Sequence, residues 1–150
     1  MATKAKTPAY ILIADGFDEL EVVACLHKFR SVGLWIKSIS LYRSLVYSRQ
    51  GIGLKADMCL AEMTPLNGKC LFILPAGGRN GDNLRHDARV KKLLLDLSLV
   101  SGKIAITDGN SQLAHDVHNQ IMPPYHPQPN QTLDDFIQNL TNQIAFGFGD

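Results

Sequence analysis

The chain alternates short, continuous apolar runs with longer segments whose apolar residues recur every three or four positions. Residues 9–14 (AYILIA), 70–74 (CLFIL) and 103–107 (KIAIT) are runs of the first kind. They predict strands buried on both faces. Residues 19–32 carry Leu20, Val23, Ala24 and Phe29 at helical spacing, and Gly33 stands where such a helix stops. The turn before it, residues 15–18 (DGFD), offers an N-cap. Residues 87–97 predict an amphipathic helix with a basic outer face, its leucines serving as core packing, and residues 110–118 a further helix. Weaker patterns place a strand at 35–41, a bent or paired extended segment around Gly51 and Gly53 at 46–54, and a helical turn at 60–63.

The pattern then changes. Residues 120–130 contain Pro123, Pro124, Pro127 and Pro129, which exclude a central strand and a helix interior. Thr132 caps a last helix over 133–144, with Asp135 completing an approximate capping box. The organisation is one domain over 1–150, with a proline-rich segment at 119–131 and a C-terminal helix at 132–145. The tail, 147–150 (GFGD), reads as a frayed end whose aromatic side chains a partner could cover. Strands alternating with helices imply right-handed crossovers and an α/β fold: a three-layer, doubly wound, mainly parallel sheet with helices on both faces. Sites in such sheets form at the carboxyl ends of strands. Three ends qualify: the turns after Ala14, after Leu74 (PAGG, 75–78) and after Thr107.

Composition narrows the function classes. The 150 residues carry a formal net charge of +1 with acids and bases interspersed, so there is no basic footprint for nucleic acid. Arg89, Lys91 and Lys92 read as a solvated helix face. No apolar stretch is long enough to insert in a membrane. Residues 1–6 (MATKAK) are too short and too polar for a signal peptide. Cys25, Cys59 and Cys70 are odd in number, widely spaced and without a CxxC pair. They read as three buried thiols in a reducing, cytoplasmic compartment. His27, His86, His115 and His118 lack carboxylate or thiol company, and the glycine turn has neither a GK[ST] ending nor a dinucleotide fingerprint, so no metal and no cofactor is implied.

Five blocks in order carry a resemblance: ILIADGFDELEVV, SRQGIGLKAD, LPAGGRNGDNLR, KIAITDGNSQLAH and TLDDFIQNL. Together they resemble the ThiJ/PfpI family of the class I glutamine amidotransferase-like superfamily, nearly without gaps from Ala9 to about His118. The resemblance implies a flavodoxin-like sheet. It also implies that Glu21 is the site glutamate that hydrogen-bonds a cysteine sulfur. Gly77 and Asp108 would supply the two backbone N–H groups of an oxyanion hole. Thr107 falls on the nucleophile itself, where the family has cysteine.

That substitution matters on physical grounds. A cysteine becomes a thiolate near neutral pH when its pKa is depressed, whereas a threonine hydroxyl needs a positioned base. The nucleophile turn is also strained, and a β-branched residue there is an outlier, so Thr107 predicts a turn relaxed to strand geometry. The Asp108 carboxylate either opposes charge developing at the oxyanion hole or turns away to cap the helix that starts near Asn110. Counted without gaps, His126 followed by Pro127 falls where the family has a site histidine. It is either a retained member of a Thr–His–Glu set or a loop histidine in a proline-rich turn. Between Pro127 and Thr132, where the family has two more strands, only four residues remain. The sheet is therefore expected to be shortened, with an edge that something must cover.

Two readings follow. In the first the chain is a binding, structural or regulatory subunit without a nucleophile, present as a homodimer or within a larger protein assembly. In the second it is an enzyme of altered chemistry (hydrolase, glyoxalase or amidotransferase-like) using Thr107, His126 and Glu21. A small-molecule ligand, an acid or carbonyl compound held by the Gly77 and Asp108 amides, is a third and lesser idea.

Overall fold

The computed structural model describes residues 7–63 and 68–147. The first six residues and the tail beyond Gly147 lie outside the described residues. In chain order the elements are β1 (Ala9–Ile13), α1 (Glu19–Ser31), β2 (Ile36–Ser40), β3 (Leu45–Tyr47), β4 (Gly53–Lys55), β5 (Met58–Cys59), a 3₁₀ turn (Leu60–Glu62), β6 (Leu71–Leu74), α2 (Asn80–Arg85), α3 (Ala88–Leu99), β7 (Lys103–Ile106), α4 (Gln112–Gln120) and α5 (Leu133–Phe146).

Five strands form one parallel sheet in the order β5-β2-β1-β6-β7. The apolar runs place β1, β6 and β7 correctly, because each is a strand with almost no solvent exposure. Alternation along them divides the core. Ile11, Ile13, Leu71, Ile73 and Ala105 face one layer, with Val22 and Phe29 of α1 and Phe136, Ile137 and Leu140 of α5. Leu12, Phe72, Leu74, Ile104 and Ile106 face the other, with Leu84 of α2, Val90 and Leu94 of α3 and Leu113 and Val117 of α4. The expected three-layer architecture is present. The segment around Gly51 and Gly53 is the antiparallel hairpin β3–β4.

The strand order reverses beside β1: β2 and β5 lie to one side, β6 and β7 to the other. Ligands of doubly wound sheets bind at such a switch point, outside the carboxyl ends of the strands. The turns after β1, β6 and β7 all open there.

Three features differ from expectation. Residues 80–85 (NGDNLR) form a short helix, α2, whose sequence has no apolar period. Tyr125 makes a one-residue parallel bridge on the outer edge of β7, with its N–H on the Ile104 carbonyl and its carbonyl on the Ile106 N–H, each at 2.8 Å. Prolines on either side limit that pairing to one residue, as an edge position permits. Cys59 is half-exposed and accepts the Ser40 hydroxyl at 3.4 Å, so only Cys25 and Cys70 are the buried thiols expected. Burial pushes Cys25 up to about 12, helped by the Glu21 charge, and Cys70 up to about 11.

Candidate functional site

The site begins with a cap. The Asp18 carboxylate accepts the Leu20 N–H at 2.9 Å and starts α1, while Arg49 pairs with it at 3.5 Å from the hairpin. In the first turn of α1, Glu21 is carried inward to the switch point. Its Oε1 accepts the Gly77 N–H at 2.9 Å, and its Oε2 accepts the Thr107 hydroxyl at 3.0 Å. Thr107 Oγ1 in turn accepts the Ala76 N–H at 2.8 Å. A ring of three hydrogen bonds thus ties the ends of β6 and β7 to α1.

Glycine is required at two places in this turn. A Cβ on Gly77 would stand 2.7 Å from Glu21 Oε1. Gly78 has φ +60 and lies against the Gly16 carbonyl, where no side chain fits. Behind the turn, Asn80 is fully buried. Its Oδ1 accepts the Ala14 N–H at 2.6 Å, and its Nδ2 donates to the carbonyls of Leu12 at 3.2 Å and Pro75 at 2.7 Å. Asn80 therefore holds the carboxyl ends of β1 and β6 at a fixed spacing. No local pattern in the sequence marks it.

Thr107 does not have a positive φ. Among the described residues only Ser101 and Asn130 are non-glycine residues with positive φ, and the Thr107 N–H still reaches the Leu74 carbonyl at 3.4 Å. Thr107 thus avoids the positive-φ conformation of a strained turn, but it lies in a bend just past the end of β7 rather than in the strand geometry expected. Asp108 turns its carboxylate back onto the Asn110 N–H at 2.9 Å. It closes the turn rather than capping the helix, because α4 begins at Gln112 and is capped by the Ser111 hydroxyl on Ala114 N–H at 3.1 Å. His126 is exposed, packs on Gly109 and hydrogen-bonds the Pro127 carbonyl at 3.0 Å. Among the described residues no hydrogen bond joins it to Thr107. The structure thus brings Glu21, Gly77 and Thr107 together and leaves His126 beside them.

Burial raises the Glu21 carboxyl above its ordinary value, against the pull of the Gly77 N–H and the Thr107 hydroxyl; the Asp18 and Asp108 charges push the same way as burial. A raised pKa means that the folded state holds this proton more tightly than the unfolded chain. The stability linked to it is present below the unfolded value, near 4.5, and is lost as pH rises through the folded value. Wild-type stability is expected to fall from pH ~4.5 towards neutrality relative to Glu21→Gln. The comparison cancels the opposite trend of Asp57, Asp87 and Asp116, whose values are lowered. Urea unfolding of both proteins across that range checks it, and parallel pH curves would refute it.

Comparison with known proteins agrees with this fold. The DJ-1/PfpI family model matches residues 7–117. The chain belongs to the DJ-1/PfpI family. Among solved structures, a cysteine-to-alanine variant of a DJ-1 superfamily protein of Salmonella typhimurium is similar, with TM-score 0.75 and 17% identity over 94% of this chain and 91% of that one. DJ-1beta of Drosophila melanogaster is similar at TM-score 0.74 and 15% identity, over 94% and 91% of the two chains. DJ-1 of Schizosaccharomyces pombe follows at 0.70 and 16%, over 92% of each chain. At these identities the likeness is one of fold. No curated protein matches the chain in sequence. Among the described residues no helix of this DJ-1/PfpI member is long and apolar enough to cross a membrane.

Proposed function

We propose that this chain is a DJ-1/PfpI member without a nucleophilic centre, acting as a binding, structural or regulatory subunit. One observation carries the reading: the ring of Glu21, Thr107, Ala76 and Gly77 is closed on itself. The Gly77 N–H that the family resemblance assigns to an oxyanion hole is already donated to Glu21. A donor so engaged is not free for charge developing on a substrate. The Thr107 hydroxyl donates to the same carboxylate, and the one nearby imidazole is turned to Pro127. The base in reach of that hydroxyl is the Glu21 carboxylate, a weak one that the Gly77 N–H also engages, and no imidazole takes its proton.

The rest of the surface supports assembly, as a homodimer or within a larger complex. Leu20 and Val23 are exposed on α1, and Tyr47 and Ile52 on the hairpin beside it. Such side chains are commonly covered by a protein partner. The domain is read as one unit over 1–150, cytoplasmic, with its buried thiols in the reduced form.

Turnover of p-nitrophenyl acetate and of methylglyoxal tests the proposal. Wild type, Thr107→Val and His126→Ala should all match the uncatalysed background. A wild-type rate that Thr107→Val abolishes would restore the altered-enzyme reading.

A further inference from the structure

A cleft of about 850 Å³ opens over the ends of β1 and β2, between the loop after β2 and the junction of α2 with α3. Its volume lies in the range of small-molecule sites. Glu21, Gly77, Thr107 and Asp108 do not line it. The floor is mainly apolar: Ile13, Ala14, Leu41 and Val46 are all buried, with the buried Ser40 among them, its hydroxyl donated to Cys59.

The rim is polar, and most of it is committed. Asp87 caps α3 through the Arg89 N–H at 2.9 Å and binds the Arg89 guanidinium at 2.9 Å. The same guanidinium lies 4.4 Å over the Tyr42 ring. Asp15 accepts the Tyr47 N–H at 3.0 Å. His86 lies with Nδ1 2.8 Å from the Asp82 carbonyl, which can only accept, so Nδ1 carries the proton. Arg43 is different. It is exposed on the rim, and among the described residues it has no hydrogen bond or ion pair.

We infer that this cleft binds an organic monoanion, an apolar acyl or aryl body lying on the floor with its carboxylate on Arg43. An apolar floor removes hydrocarbon from water, and one uncommitted guanidinium pairs with one carboxylate in a forked geometry. The rim also carries the Asp15 and Asp87 carboxylates, which repel a polyanion; that selects a monoanion over a nucleotide polyphosphate. Binding here needs no nucleophile and is independent of the reading of Thr107. It would give a subunit a ligand-responsive surface at the switch-point end of the sheet.

The test is an amide NMR titration of the full chain with 4-phenylbutyrate, with 4-phenylbutan-1-ol as the uncharged comparator. Shifts should concentrate at residues 13–15, 41–46 and 83–89 and saturate within the millimolar range. Arg43→Gln should weaken phenylbutyrate about tenfold and leave the alcohol unchanged. Ala88→Phe, at an exposed position on the cleft wall, should abolish both. Both substitutions are on the surface, and the free spectra report whether each variant is folded. No saturable shift, shifts centred elsewhere, or unchanged phenylbutyrate affinity in Arg43→Gln would each overturn the assignment.

Discussion

Asn80→Leu is expected to destabilise the protein by about 3–5 kcal/mol, since it leaves three buried backbone groups without partners at about 1–3 kcal/mol each, partly offset by the added apolar burial. The groups are the Ala14 N–H and the carbonyls of Leu12 and Pro75. They sit at the ends of two central strands, around a side chain with no solvent exposure. Asn80→Asp should be comparably costly. It keeps an acceptor for Ala14 but sets a carboxylate against two carbonyl oxygens. Urea unfolding of the three proteins measures this. A loss under about 1 kcal/mol, the net value of a single hydrogen bond, would show that the amide is not the clamp between β1 and β6.

Thr107→Val should cost about 2–3 kcal/mol, although the two side chains have nearly the same shape. The loss falls on two groups: the Ala76 N–H without its acceptor and Glu21 Oε2 without its donor. The Thr107 hydroxyl is one of the two contacts that hold the Glu21 pKa down, so its removal should raise that carboxyl further. Thr107→Ser keeps the hydroxyl and should lose less than about 1 kcal/mol. Chemical unfolding gives the stabilities, and carbon-detected NMR of the Glu21 carboxyl gives the titration. Equal stability of the valine and serine variants would mean that the ring contributes nothing.

The parts of the fold that were legible in the sequence are those decided locally. β1, β6 and β7 are apolar runs that only a sheet buried on both faces explains. Asp18 and Thr132 announce their helices because an N-cap needs an oxygen at one position. What was not legible depends on distant chain segments. Asn80 reads as a loop residue until the sheet brings Leu12 and Ala14 beside it. In α2 Leu84 is the single apolar side chain, so six residues of helix leave no periodic trace. The bridge at Tyr125 is hidden among prolines that argue against any strand. Cys59 was read as core because cysteine usually is, whereas its place on the two-residue edge strand β5 leaves it half-open.

The site divides the same way. Glu21, Gly77 and Thr107 were singled out through the resemblance, and the structure places them in hydrogen-bonding contact. Their closure into a ring rests on the Ala76 N–H, a backbone group that no side-chain pattern reveals. His126 was placed by counting from His115. Its segment does run beside β7, but the flanking prolines pair only Tyr125 with the sheet, and the imidazole settles on Gly109.

The most direct measurement of the central claim is the intact mass of the protein after prolonged incubation with a fluorophosphonate at neutral pH, followed by peptide mapping. An activated hydroxyl gives up its proton, attacks phosphorus, expels fluoride and retains the phosphonyl adduct. A hydroxyl held between the Ala76 N–H and the weakly basic Glu21 carboxylate, without an imidazole, does not. The account predicts an unmodified Thr107. A stoichiometric adduct that maps to Thr107 and disappears in Thr107→Val would contradict it.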